Sequence, residues 1–423
     1  MDEKRRKRRD ITQNLLITLL ALSAVFLFFR TQAQNLGEGY SLPFLDGHGA
    51  QVDSTLAKPS VGLSAPVRIA VTGSYGRYAS VTMTTADEEF DVPGLLLSEM
   101  LGSAGSRTSC GQDAFLQMLE GVSVYYDFLN ALPLSVLGGQ SEAEGQAPVY
   151  ARSLLAAIDD GRVKLYLWDG ESGYHCCDTA VTAKNLEAVV NQYELGNAGF
   201  AMDGLQEPGD LDGIAPHSLF LSEEPELAVY SRTIPAYQAE NVLDTLLFNP
   251  NTKSRYTESN GTEVIVENGR TLRARTDGSI QYQSGGDESL RIEVGESASL
   301  QERIAGSGSL LRKLASVGGG EASLYLESVR QTGNVLMLTY GYELNGVPVC
   351  FADGGSAATM TLSGNTVTSL SLRFRQYVKT EEPHRILPLA QAAAIARRYE
   401  GSELFIGYAD DGAGMLVPRW LAE

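Results

Sequence analysis

Cysteine is scarce in this chain of 423 residues, which has only Cys110, Cys176, Cys177 and Cys350. No C-x-x-C pair occurs, so a disulfide-dense scaffold is excluded and packing must hold the fold. Histidine is equally rare: His48, His175, His217 and His384 are scattered and fit no finger-like metal spacing. G-x-S-x-G, S-x-x-K, H-E-x-x-H, P-loop and G-x-G-x-x-G patterns are all missing. Their absence removes the commonest hydrolase and nucleotide-binding signatures without excluding every enzyme. A net positive charge is lacking beyond the first thirty residues. Those carry seven Lys or Arg against three acids, so a chain total of -19 leaves -23 on the remainder. An acidic body repels phosphate backbones, which argues against nucleic-acid binding.

Apolar residues are plentiful, at 43% of the chain against 20% charged, a mixture that builds globular cores. The stretch Ile11–Phe29 has 19 residues without a charge. As a helix it spans ~28 Å, the thickness of a bilayer's hydrocarbon core. The basic cluster Lys4–Arg9 precedes it, so the positive-inside rule places the N-terminus in the cytoplasm and the acidic bulk outside the cell. The competing reading is a cleaved signal peptide, with Thr31-Gln32-Ala33 as its small-x-small site; the long apolar run and Arg30 weigh against it. Thr18, Ala21 and Ala24 recur at every third position and form a partial small-residue stripe for packing on another membrane helix; a plain lipid-facing anchor is the alternative.

The segments predict an α+β body divided as a basic tail (1–10), a transmembrane helix (11–29), a tether (30–60), an N-terminal α+β domain (61–235), a middle β-meander (236–290) and a C-terminal α+β domain (291–423). In the first domain, Val67–Val71, Ala79–Met83, Val122–Tyr126 and Val163–Trp168 read as strands. Leu95–Leu101, Ala114–Leu119, Arg152–Ile158 and Thr182–Gln192 read as helices. Next, Glu240–Leu247 is helical up to Pro250. Strands Thr262–Glu267, Thr271–Arg275 and Ile280–Gln283 are joined by Asn268-Gly269 and Asp277-Gly278, which favour hairpin turns. Ser299 and Glu302 fit a capping box ahead of a helix Leu300–Leu314. Strands are predicted at Ser323–Val329, Val335–Tyr342, Val347–Phe351, Met360–Leu362, Val367–Phe374 and Leu404–Tyr408, with a helix over Leu389–Tyr399.

Few constellations suggest chemistry. His175-Cys176-Cys177-Asp178 is the one cluster of possible metal ligands, but adjacent residues do not converge on one tetrahedral ion. A structural role fits better: small buried residues on a strand, or a disulfide from Cys176 or Cys177 to Cys110 or Cys350. Asp87-Glu88-Glu89 and Glu223-Glu224-Pro225-Glu226 read as solvated acidic loops; a glycosidase would need carboxylates facing each other across a cleft. No catalytic residue, cofactor site or metal site is predicted.

Several segments resemble the YycH family. They are the basic tail with its single anchor, Glu240–Phe248 leading to Tyr256, Asn268-Gly269-Arg-Thr-Leu272, and Asp277-Gly-Ser-Ile-Gln-Tyr282. The Tyr342–Val349 hairpin and the closing Leu416-Val-Pro-Arg-Trp420 are similar to the end of the related YycI proteins. The resemblance covers most of the chain, though the first domain matches by arrangement more than by residues. It implies an accessory regulator of a sensor histidine kinase of WalK (YycG) type that governs cell-wall metabolism. The kinase, a YycI-like membrane protein and the membrane itself would be its partners. The family has no catalytic residues to transfer. Two other classes stay open: an exported envelope enzyme acting on wall polymers, and an adaptor that binds another exported protein at a sheet edge.

Overall fold

Strands in the first third are built from apolar runs that are covered on both faces. In the computed structural model, residues 66–82, 87–138, 148–204, 211–235, 239–249, 251, 253–285, 289–318, 320–398, 401–412 and 414–422 are described. Nine strands between Arg68 and Leu221 form one sheet, whose central members are Arg68–Gly73, Ser123–Pro133, Tyr150–Asp159 and Arg162–Trp168. Ile69, Val71, Val124, Tyr126, Leu154 and Leu165 point to one face, which is covered by helices Glu88–Ser103 and Ala183–Val190. Ala70, Tyr125, Leu155, Ala157 and Tyr166 point to the other, where Phe115 and Leu119 of helix Gln112–Glu120 pack. Each of those two side chains contributes roughly 1.5–3 kcal/mol by leaving water.

Double coverage explains the main error of the sequence reading. Arg152–Ile158 is not a helix but the core of strand Tyr150–Asp159. Leu154, Leu155, Ala156 and Ala157 are all buried, so the period-2 alternation that marks a half-exposed strand is erased. Leu and Ala are strong helix formers, and here tertiary packing overrides that preference. Helix Glu88–Ser103 also starts well before the expected Leu95 and holds Pro93 inside it. Proline has no N–H to give to the carbonyl four residues earlier, that of Glu89. The Tyr193 hydroxyl donates to that carbonyl at 2.8 Å instead.

The second sheet has eleven strands, from Ser254–Thr257 to Pro418–Ala422, and is antiparallel except where Val347–Phe351 runs parallel to Leu404–Asp410. Its register gives a buried row of Leu272, Tyr282, Leu370, Met360 and Leu338 across successive strands. The adjacent row on the opposite face, Arg273, Gln281, Ser371, Thr359 and Thr339, is polar. One face packs and the other is wetted, and that produces the alternation legible in sequence. Val242, Leu243, Ile304, Leu311 and Leu314, from helices Ala239–Thr245 and Leu300–Gly318, cover the apolar face. The expected capping box is present: the Ser299 N–H donates to Glu302 Oε2 at 2.7 Å and the Glu302 N–H to Ser299 Oγ at 3.2 Å. At Asn268-Gly269 both residues have positive φ (44° and 78°), as a two-residue hairpin turn requires. Arg270, just after this turn, donates to the carbonyls of Leu246 and Leu247 and pairs with buried Glu267, tying the helix end to the hairpin.

Glu226–Thr233, Gln376–Arg385 and Met415–Leu416 make a third, three-stranded sheet that sequence patterning did not reveal. Gln376–Arg385 is mostly exposed and charged, so it carries no apolar alternation to read. Among the described residues no helix is long and apolar enough to cross a membrane; the segment Ile11–Phe29 lies outside them.

Candidate functional site

Arg68 lies within the apolar strand Arg68–Gly73, and Asp127 between Tyr126 and Phe128 of the neighbouring strand. Both are buried and ion-paired to each other. Glu403 arrives from the far end of the chain, immediately before strand Leu404–Asp410, and is only 4% exposed. Its carboxylate pairs with Arg68, takes a bond from Arg152 Nη2 at 2.5 Å and faces His217 Nε2 at 3.6 Å. The His217 ring stands edge-on to Trp168 with centroids 4.2 Å apart, and Arg152 lies over the same indole at 5.4 Å.

This junction is dehydrated yet balanced, with two guanidinium groups against two carboxylates. Burial alone would push the Glu403 carboxyl up, but Arg68, His217 and Arg152 outweigh it and hold it far below the usual carboxylate range. Burial likewise opposes the charge on Arg68, and Asp127 and Glu403 overcome it. Backbone contacts place Glu403: the Ala215 N–H donates to the Ser402 carbonyl at 2.9 Å, and the Leu404 N–H to Ser218 Oγ at 3.2 Å. The junction therefore pins the last third of the chain to the first sheet.

Beside it lies a cleft of about 730 Å³. One wall comes from the edge of the first sheet, with Arg77, Phe200, Asp203 and Phe220; the other comes from Leu389, Ile406 and Trp420. Arg77 is held in place by its pair with Asp203, by the Leu119 carbonyl at 3.0 Å and by the Phe200 ring at 4.8 Å. Trp420 is fixed by donation from Nε1 to the Leu387 carbonyl at 2.8 Å and by the Phe220 ring at 5.6 Å. Glu223 and Glu224 sit side by side in one loop of the rim, not across the cleft from each other as paired acid–base chemistry demands. The lining of this open cleft mixes apolar and charged side chains.

Of the residues singled out from sequence, Glu223 and Glu224 line the cleft and the others fall elsewhere, His217 excepted. Thr18, Ala21 and Ala24 lie outside the described residues, as does His48. Of the cysteine cluster, Cys177 turns into the helix-covered core and Cys176 to the opposite face of the sheet. No three of His, Cys, Asp and Glu converge as a metal site among the described residues. His217 joins the junction, whereas Arg68, Asp127, Arg152 and Glu403 were not anticipated. A charged residue inside an apolar strand run, at Arg68 and again at Asp127, is the one sequence signal that could have found them.

No family model matches the chain, and no curated protein matches it in sequence. Among solved structures, the crystal structure of YycH from Bacillus subtilis is similar, with a TM-score of 0.52 at 12% identity. The likeness covers 88% of this chain and 96% of that one. The fold is thus YycH-like over nearly its full extent.

Proposed function

We propose that the chain is a membrane-anchored accessory regulator of a sensor histidine kinase of WalK (YycG) type, working by protein contacts and not by catalysis. The likeness to YycH over 88% of the chain carries this reading. The apolar run Ile11–Phe29 behind a basic cluster, followed by an acidic body, agrees with it. The body is placed outside the cell, with a YycI-like membrane protein as second partner. A membrane helix that packs better against one kinase conformation than another shifts the kinase's equilibrium by that difference. Thr18, Ala21 and Ala24 are the proposed contact stripe.

Exchange of Leu15–Phe29 for an unrelated spanning helix tests the mechanism. Kinase-dependent transcription should change while the protein level stays normal, and crosslinking in membranes should recover the kinase with the native anchor. Unchanged output together with no kinase in the crosslinked material sinks the proposal.

A second reading, an adaptor for another exported protein, is favoured by strand Ser254–Thr257. It forms the outer edge of the eleven-stranded sheet, and all four of its residues are exposed. Such an edge accepts an added strand. Recovery of a partner that is not a kinase, lost on Tyr256→Pro, would favour it.

A further inference from the structure

The four cysteines are not equivalent. Strand Tyr174–Asp178 pairs with the two-residue strand Thr108–Ser109 at the rim of the nine-stranded sheet, with Thr108 opposite Cys176 and Ser109 opposite His175. One step further, the Cys110 N–H donates to the Tyr174 carbonyl at 2.9 Å. Cys110 therefore faces Tyr174, and Tyr174 and Cys176 share a face because side chains alternate along a strand. The packing agrees: Cys110, Tyr174 and Cys176 all lie against the cluster that contains Phe115 and Tyr166. Cys110 and Cys176 are therefore diagonal neighbours on one face of the strand pair. Cys177 points the other way, with its sulfur 3.8 Å from the Leu165 carbonyl. Cys350 belongs to strand Val347–Phe351 of the other sheet.

We propose that Cys110 and Cys176 are a disulfide-forming pair that staples the Thr108–Ser109 strand to the sheet rim. That they are joined in the cell rests on the extracellular placement proposed above; their adjacency on one face of the rim does not. Both residues are half-buried, so a small oxidant reaches them. The oxidant is a low-molecular-weight disulfide. One cysteine thiolate attacks it, forming a mixed disulfide and expelling one thiolate. The second cysteine thiolate then attacks the protein-bound sulfur and expels the other. The protein loses two protons and two electrons, and the reagent is reduced to two thiols. Burial and the neighbouring Cys176 push the Cys110 thiol up to about 11. Thiolate is therefore scarce at neutral pH, and the reaction should quicken as pH rises.

The test uses the full chain in detergent, incubated with oxidised glutathione at pH 8.5, alkylated and digested without reduction. Mass spectrometry should find Cys110 joined to Cys176, with Cys350 alkylated after unfolding. Cys177→Ser should keep the linked species, and it also resolves which of the adjacent cysteines is bonded. Cys176→Ser should abolish it and leave glutathione on Cys110. The oxidised protein should unfold a few degrees higher, reversibly on addition of dithiothreitol. A bond to Cys177, or only glutathione on Cys110 in the unsubstituted chain, overturns the proposal. Acid trapping in cells separates the two ideas. A linked pair in the membrane fraction supports both, whereas a pair that is reduced in cells yet oxidises readily in vitro sinks the extracellular placement and leaves the pair standing.

Discussion

Replacing Glu403 by Gln removes one charge from the junction with almost no change in volume. The side chain is buried to 4% exposure and faces Arg68, Arg152 and His217. Removing one partner of a buried ion pair costs about 3–5 kcal/mol, because the remaining charge is left dehydrated and uncompensated. Arg68 keeps Asp127 in the variant, whereas Arg152 loses the partner at 2.5 Å. The lower end of the range is therefore expected, about 3 kcal/mol. The control is Glu226→Gln. Glu226 pairs with Arg385, but their side chains are 51% and 76% exposed, and such pairs contribute less than about 1 kcal/mol.

Urea unfolding followed by tryptophan fluorescence suits the measurement, because the chain has only two tryptophans. Trp168 touches His217, and Trp420 lines the adjacent cleft. Hydrogen exchange should quicken at the amides of Ala215 and Leu404, which position the Glu403 segment. If Glu403→Gln costs no more than Glu226→Gln, the junction is not what holds the last third of the chain to the first sheet.

Three further outcomes follow from single sites. The Glu403 carboxyl titrates below the 4.5 of a free glutamate, so its stabilisation is complete above that pH and is lost as pH falls through the lowered value. In an acid titration the unsubstituted protein should lose stability below about pH 5 more steeply than Glu403→Gln does. Tyr193→Phe should cost about 1 kcal/mol by leaving the Glu89 carbonyl without its donor, and little when combined with Pro93→Ala, which restores a backbone N–H; equal costs in both backgrounds would refute the substitution of hydroxyl for amide. Leu247 holds φ of 57° with its side chain 68% exposed, so Leu247→Gly should raise stability by up to about 1 kcal/mol, and a lower unfolding midpoint would show that its side chain packs after all.

How far sequence discloses structure depended on which faces water touches. The eleven-stranded sheet has one wet face, so Leu272, Tyr282 and Leu370 alternate with polar neighbours, and Asn268-Gly269 and Asn345-Gly346 mark its turns. The capping residues Ser299 and Glu302 marked a helix start because their chemistry is local. The nine-stranded sheet has no wet face at its centre, and there Tyr150–Asp159 looked helical. Gln376–Arg385 has little apolar content and pairs with Glu226–Thr233 about 150 residues away, so the short apolar run Leu227–Tyr230 has no matching local signal in its partner. The pairing within the junction was hidden by distance along the chain. Arg68 and Glu403 are 335 positions apart, and nothing in either neighbourhood names the other.

Where such a body yields to a ligand or partner follows from what resists deformation. Neither sheet bends readily: one is packed on both faces, and the other is held by a buried row crossing successive strands. Glu403 itself, just before the sheet strand that follows it, is held by charge pairing and by the backbone bonds of its neighbours. A dehydrated ion pair is strong at the right geometry and costly when half open. Such a contact is made or broken more nearly as a unit than an apolar one, whose loss grows with exposed area. Glu403 leads into strand Leu404–Asp410, and Ile406 of that strand lines the cleft. Cleft and junction are thus three residues apart on one chain segment. A ligand bound in the cleft therefore bears on the same strand that Glu403 leads into.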